Sequence, residues 1–124
     1  VVFDLNQLKI TNDTYGHEVG DKLIATAAKV ISDVFKRSPV FRIGGDEFLA
    51  VLQNRDLENF KELFIQLDAT CENTFIEENG NSHISLARGF ARFEPNHDSQ
   101  FNDVFKRADK AMYENKRKIK ESTV

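Results

Sequence analysis

The chain is short of the residues that staple, punctuate or anchor a protein. It has one cysteine, Cys71, no tryptophan, and only two prolines and six glycines in 124 residues. A single cysteine excludes an internal disulfide and fits a reducing compartment, so a cytoplasmic location is expected. Cys71 itself reads as a small buried apolar residue. Positive charge is not in excess: 17 Lys and Arg stand against 20 Asp and Glu, a formal charge of −3. That removes the global basic field of a nucleic-acid binder. No apolar run is long enough to span a bilayer and no signal peptide opens the chain, so no membrane contact by this domain is expected. Repeats, linkers and low-complexity tracts are missing too. Phenylalanine is abundant, with 11 in a chain that is 40% hydrophobic and 30% charged, which suits one domain around an aromatic core. The first residues, Val1-Val2-Phe3, are strand-like and lack an initiator methionine; the expectation is that an upstream segment has been removed.

Patterning predicts the order β-α-β-β-α-β-α. Val1 to Leu5 reads as a buried strand, and "NQLKITNDTYGHEVGD" as a polar connection. Val19, Leu23, Ala27, Val30 and Val34 recur at helical spacing and predict a helix from His17 to Lys36, stopped by Pro39. Val40 to Ile43 and Glu47 to Gln53 flank Gly44-Gly45 as a hairpin. Asp56 is a plausible N-cap for a helix from Leu57 to about Phe75, with Phe60, Leu63, Phe64 and Leu67 on one face. "EENGNS" reads as a turn and Ile84 to Phe93 as strand. Asp98 or Ser99 is expected to cap a last helix whose inner face carries Phe101, Val104, Phe105, Ala108 and Met112. The expected fold is α+β, the ferredoxin-like split βαβ with an added C-terminal helix and an antiparallel-rich sheet. Fold alone implies no function.

Topology brings three acids to one edge. A right-handed crossover makes the first two strands parallel, so Asp4 at the end of the first meets the tip "GGDE" that follows the second. Asp4, Asp46 and Glu47 would repel one another unless a cation sits among them. Oxygen-only ligands of this charge suit Mg²⁺ or Mn²⁺. Gly44 and Gly45 would let a phosphate chain approach the backbone. A plain turn with solvated acids is the other reading of the same residues. A last helix roughly 24 Å long would return Lys116 and Lys120, one turn apart, to this edge, where they could neutralise a triphosphate; alternatively they complement the helix dipole. Asn12 and Asp21 flank the start of the first helix. A carboxylate can accept both N1–H and the 2-amino group of guanine, which adenine cannot offer; the two could equally be turn and helix-start residues.

Three segments, "FDLNQLKITNDTYGHEVGDKLI", "FRIGGDEF" and "ADKAMYENKRK", together resemble the GGDEF domains of diguanylate cyclases, from the first residue to nearly the last. The resemblance makes residues 1–124 a GGDEF catalytic domain lacking the family's N-terminal segment. It implies condensation of two GTP into cyclic di-GMP and two pyrophosphates across a homodimer, with two divalent ions per site. It also implies an upstream sensor domain in a longer protein, which could be membrane-anchored with this domain on the cytoplasmic side. Residue by residue, it implies metal binding by Asp4, the Leu5 carbonyl and Asp46. Asp46 would also help deprotonate the attacking 3′-hydroxyl, and Glu47 would bear on metal or catalysis. Gly44 and Gly45 would admit the phosphates, with Lys9 near the transferring phosphoryl group. Asn12 and Asp21, with His17 as a further candidate, would contact guanine, and Lys116 and Lys120 would bind phosphate.

The chain departs from the family pattern in several places. Asn6 stands where many members have Asp, and Gln7 where many have an aromatic. The register of the family's Arg-x-x-Asp product-inhibition site reads Phe35-Lys36-Arg37-Ser38, so no tight inhibitory site is expected. Lys120 in place of Arg loses the bidentate fork, and Ile119 stands where a helix-stopping Gly is common. The alternatives are a catalytically silent GGDEF module that binds GTP in a regulatory role, and a nucleotidyl cyclase or polymerase-palm relative acting on another nucleotide.

Overall fold

A computed structural model of the chain describes residues 1–122. Four strands, β1 (Val2–Leu5), β2 (Val40–Arg42), β3 (Glu47–Ala50) and β6 (Leu86–Gly89), form one sheet in the order β2-β3-β1-β6. Every adjacent pair is antiparallel, so β1 and β2 run parallel with β3 between them. This is the expected split βαβ arrangement. A two-stranded hairpin, β4 (Phe75–Ile76) and β5 (Ser82–His83), stands apart from the sheet.

The alternation along β1 divides the molecule. Phe3 and Leu5 point to one face, into a core shared with Phe48 and Ala50 of β3. Leu23, Ala27, Ile31 and Val34 of α2 (His17–Val34) and Leu67 and Cys71 of α4 (Phe60–Glu72) close that core. Phe35, fully buried, lies 6.1 Å from Phe3 and 6.0 Å from Phe64 between ring centres, and Phe60 stacks on Phe90 at 4.4 Å. Truncating a ring so enclosed to alanine costs about 3–5 kcal/mol. On the other face Val2 and Ala87 meet Ala108 and Met112 of α5 (Phe101–Ser122). Gly89 makes this contact possible: a Cβ there would stand 1.9 Å from the Ala108 carbonyl oxygen.

The departures from expectation are local. The segment read as a connection contains a helix, α1 (Leu8–Tyr15). Its residues are mostly polar, which hid it; it forms because Gln7 turns the chain in the left-handed region (φ 68°) and α1 packs on α2, with Thr11 buried. Gly16, at φ 95°, separates the two helices. The single helix expected from Leu57 is two, α3 (Asn54–Glu58) and α4, broken at Asn59. Asp56 therefore lies inside α3 and does not cap it. Its carboxylate accepts from the Arg37 N–H (3.0 Å) and the Ser38 hydroxyl (2.7 Å). At the start of α5 the Asp103 carboxylate accepts from the Ser99 and Gln100 N–H groups, the reach-back half of a capping box. Asp98 instead braces Arg107 and accepts from the Glu94 N–H. Phe101 is not on the inner face; it is 55% exposed. The expected last strand shrinks to β6, and "EENGNS" is the tip of the β4–β5 hairpin, tied back to α2 by a Lys22–Glu78 ion pair of 2.6 Å.

Candidate active site

Asp4 occupies the α5 side of β1, because its neighbours Phe3 and Leu5 fill the opposite core. It is 3% exposed. Its buried Oδ1 forms an ion pair with Lys116 Nζ at 3.0 Å. Burial, foremost, pushes the Asp4 carboxyl above the usual carboxylate range; the Lys116 ammonium pulls it back, and the charge of Asp46 adds to the push. Lys116 is there because α5 runs antiparallel to β6 and returns its C-terminal turns to the edge where β1 ends.

The other two acids are at the same edge. Glu47 is the cross-strand partner of Asp4, and the Asp46 carbonyl accepts from the Leu5 N–H at 2.7 Å. Like charges directly opposite are unfavourable. Burial, then the charges of Asp109, Asp4 and Asp46, hold the Glu47 carboxyl high, against the pull of Lys116.

Gly44 and Gly45 form the hairpin tip, but the turn does not demand them. Neither has a left-handed φ, and a Cβ at Gly45 would meet nothing within 4 Å. The tip is held by Arg42, which donates from Nε to the Gly44 carbonyl (3.1 Å) and from Nη2 to the Gly45 carbonyl (2.9 Å).

Beside these acids a cavity of about 600 Å³ opens between β1, α1, β5 and α5. Lys9, Lys116 and Lys120 line it against one acid, Asp46, with Leu5 at its edge. This balance favours a polyanion. Asn12, His17 and Asp21 are not in its lining. They belong to the α1–α2 corner, where His17 and Asp21 are exposed and Asn12 packs on Gly20. Asp4, Glu47, Gly44 and Gly45 also stand outside the lining.

The donor chemistry fits a hard divalent cation: the buried Asp4 carboxylate already faces a cationic head, and Glu47 stands opposite it with Asp46 next along the chain. Among the described residues no group of three His, Cys, Asp or Glu side chains is disposed to hold a metal ion, and Lys116 holds the charge of Asp4 instead.

Sequence reasoning missed several residues of this edge. Asn6 donates from Nδ2 to Ser85 Oγ (2.9 Å) and from its backbone N–H to the Ser85 carbonyl, tying the β1–α1 turn to the start of β6. Ser82, His83 and Ser85 line the cavity. Nothing local marks them: the β4–β5 hairpin that carries two of them shows in the sequence only as the turn signal "EENGNS".

Comparison with known proteins agrees with this arrangement. The family model described as "Diguanylate cyclase, GGDEF domain" matches residues 1–122. A diguanylate cyclase of Vibrio cholerae is 32% identical over 94% of this chain and 36% of its own length. The diguanylate cyclase DgcZ of Escherichia coli is 30% identical over 94% of this chain and 39% of its own. The chain thus spans between a third and two-fifths of these relatives. Among solved structures, the active GGEEF domain of a Vibrio cholerae diguanylate cyclase superposes with a TM-score of 0.81 at 32% identity, covering 94% of this chain and 74% of that one. The GGDEF domain of DgcB from Caulobacter crescentus, solved in complex with c-di-GMP, gives 0.75 at 27% identity, covering 94% and 70%. The antiparallel sheet and the intact Gly44-to-Phe48 pentapeptide are therefore those of a relative of these proteins, and the chain belongs to the GGDEF domain family of diguanylate cyclases.

Proposed function

We propose that this domain is a diguanylate cyclase that condenses two GTP into cyclic di-GMP with release of two pyrophosphates, each copy of a homodimer holding one GTP. One observation carries the reading: the buried Asp4 is ion-paired at 3.0 Å to Lys116, and Lys116 in turn lines, with Lys9, Lys120 and Asp46, a cavity at the same sheet edge. Carboxylate and ammonium groups together suit a metal–polyphosphate.

In this reading Lys9, Lys116 and Lys120 neutralise the triphosphate and stabilise charge that develops during transfer. Asn12 and Asp21, with His17, orient guanine from the α1–α2 corner. Asp46 accepts the proton of the attacking 3′-hydroxyl, and Gly44 and Gly45 keep the tip open. Asp4, the Leu5 carbonyl and Asp46, with Glu47 behind them, are the residues that would hold Mg²⁺ or Mn²⁺. Such an ion, when bound, supplies electrostatic stabilisation of the phosphoryl and leaving oxygens.

A second reading, a silent module that binds GTP in a regulatory role, is favoured by the pairing of Lys116 with Asp4, the acid a metal would need. GTP turnover with Mg²⁺ over a protein concentration series separates the two. Cyclic di-GMP formation rising faster than first order in protein supports the dimeric enzyme. Nucleotide bound with no product at any concentration supports the silent module.

A further inference from the structure

The ion pair between Lys116 and Asp4 joins a deeply buried acid to a lysine that also faces the cavity. The Asp4 side chain is 5% exposed and that of Lys116 23%. An unpaired buried carboxylate is costly, so the ammonium is what makes this acid tolerable. The same ammonium repels any second cation brought to Asp4. Lys116 has a flexible four-carbon stem, and α5 is anchored on either side of it by Met112 and Ile119 against the sheet. The head can therefore move without the helix. In the cavity lining the one acid it could turn to is Asp46, beside Lys9 and Lys120. A bound polyphosphate would offer a far stronger attraction.

We propose that Lys116 is the resident counter-ion of Asp4, and that it couples metal and nucleotide binding. Metal reaches Asp4 readily only when the phosphates of a nucleoside triphosphate draw Lys116 away. The inference rests on the reading of this cavity as the triphosphate site, and it makes the preferred ligand the metal–nucleotide pair. Coupling of this kind is reciprocal, and typical factors run from about 5 to 150.

The test uses binding. Free Mn²⁺, followed by its electron paramagnetic resonance signal, is titrated with protein in the absence of nucleotide. A non-hydrolysable GTP analogue is titrated separately, with Mg²⁺ or with EDTA. Lys116→Gln should bind Mn²⁺ alone about tenfold more tightly than wild type. Asp4→Asn, which leaves Lys116 without its partner, should bind the analogue in EDTA several-fold more tightly. Lys116→Arg, which keeps the charge, should behave as wild type toward Mn²⁺. If wild type binds the analogue but either gain is missing, the coupling is overturned and the functional reading stands. If wild type fails to bind the analogue even with Mg²⁺, the functional reading fails and the coupling fails with it. A purely structural ion pair would weaken both titrations, and it yields neither gain.

Discussion

The Asn12 carboxamide packs directly on Gly20: a Cβ at position 20 would stand 1.7 Å from Asn12 Oδ1 and 2.8 Å from its Cγ. Gly20 is buried in α2, next in sequence to Asp21. The absence of a side chain is therefore what lets α1 close on α2 and bring Asn12 to the helical turn that carries Asp21.

Gly20→Ala is expected to keep the fold and to change recognition. Alanine in a helix interior is favoured by about 0.5–1 kcal/mol over glycine, and the atom it strikes is the tip of a movable side chain. The Asn12 amide must swing away. With one base hydrogen bond lost, KM for GTP should rise about tenfold with no loss of thermal stability. An unchanged KM would remove Asn12 from the guanine contacts.

Asp21→Ala tests base selection directly. Asp21 is exposed on α2, and its carboxylate matches the donor edge of guanine. Hydrogen bonds to a charged group contribute about 1.5–3 kcal/mol, so the preference for GTP over ATP in kcat/KM should fall by about one to two orders of magnitude. If the ratio holds, guanine is read elsewhere.

Glu47→Gln should make the protein more stable at neutral pH. The folded state holds the Glu47 carboxyl high by burial and by the charges of Asp109, Asp4 and Asp46. A raised folded pKa means that the native state binds the proton more tightly than the unfolded chain. Its contribution is favourable below the unfolded value of about 4.3 and is lost as pH rises through the folded value. The melting temperature of Glu47→Gln should accordingly match wild type near pH 4 and exceed it increasingly toward pH 7. A constant gap across that range would refute the electrostatic account.

Product inhibition should be weak. Phe35 stands at the arginine position of the family's Arg-x-x-Asp site, and its ring is fully buried between Phe3 and Phe64. Ser38, at the aspartate position, gives its hydroxyl to Asp56. No guanidinium or carboxylate is presented at the two key positions of that motif. Calorimetric titration with cyclic di-GMP should find no tight site away from the catalytic edge, and rates should not fall as product accumulates. Tight binding that survives Asp46→Ala would contradict this.

Much of the fold was legible because its periodicities are strong. Val19 to Val34 repeats at helical spacing and forms α2; Val1 to Leu5 is apolar and forms β1. The failures have a common cause. Residues 8–15 carry little apolar pattern, and α1 exists because a left-handed Gln7 and contact with α2 supply what the segment lacks. The Asp56 side chain could have capped a helix equally well; the nearby Arg37 N–H and Ser38 hydroxyl took it instead. A glycine pair between two strands suggests a turn that requires glycine, yet neither Gly44 nor Gly45 has a left-handed φ.

By itself the sequence determined the local chemistry: which residues carry charge, where helical and strand spacing begins, and that the pentapeptide from Gly44 to Phe48 is intact. The handedness of a crossover even placed Asp4 near Asp46, because that rule depends only on chirality and element order. Only the tertiary structure decided that Lys116 pairs with Asp4, that Ser85 holds Asn6, and that Gly20 makes room for Asn12. Each of those contacts joins residues on separate elements. Their geometry is set by how side-chain volumes pack helices onto the sheet and onto one another, a property of the assembled core that no single segment contains.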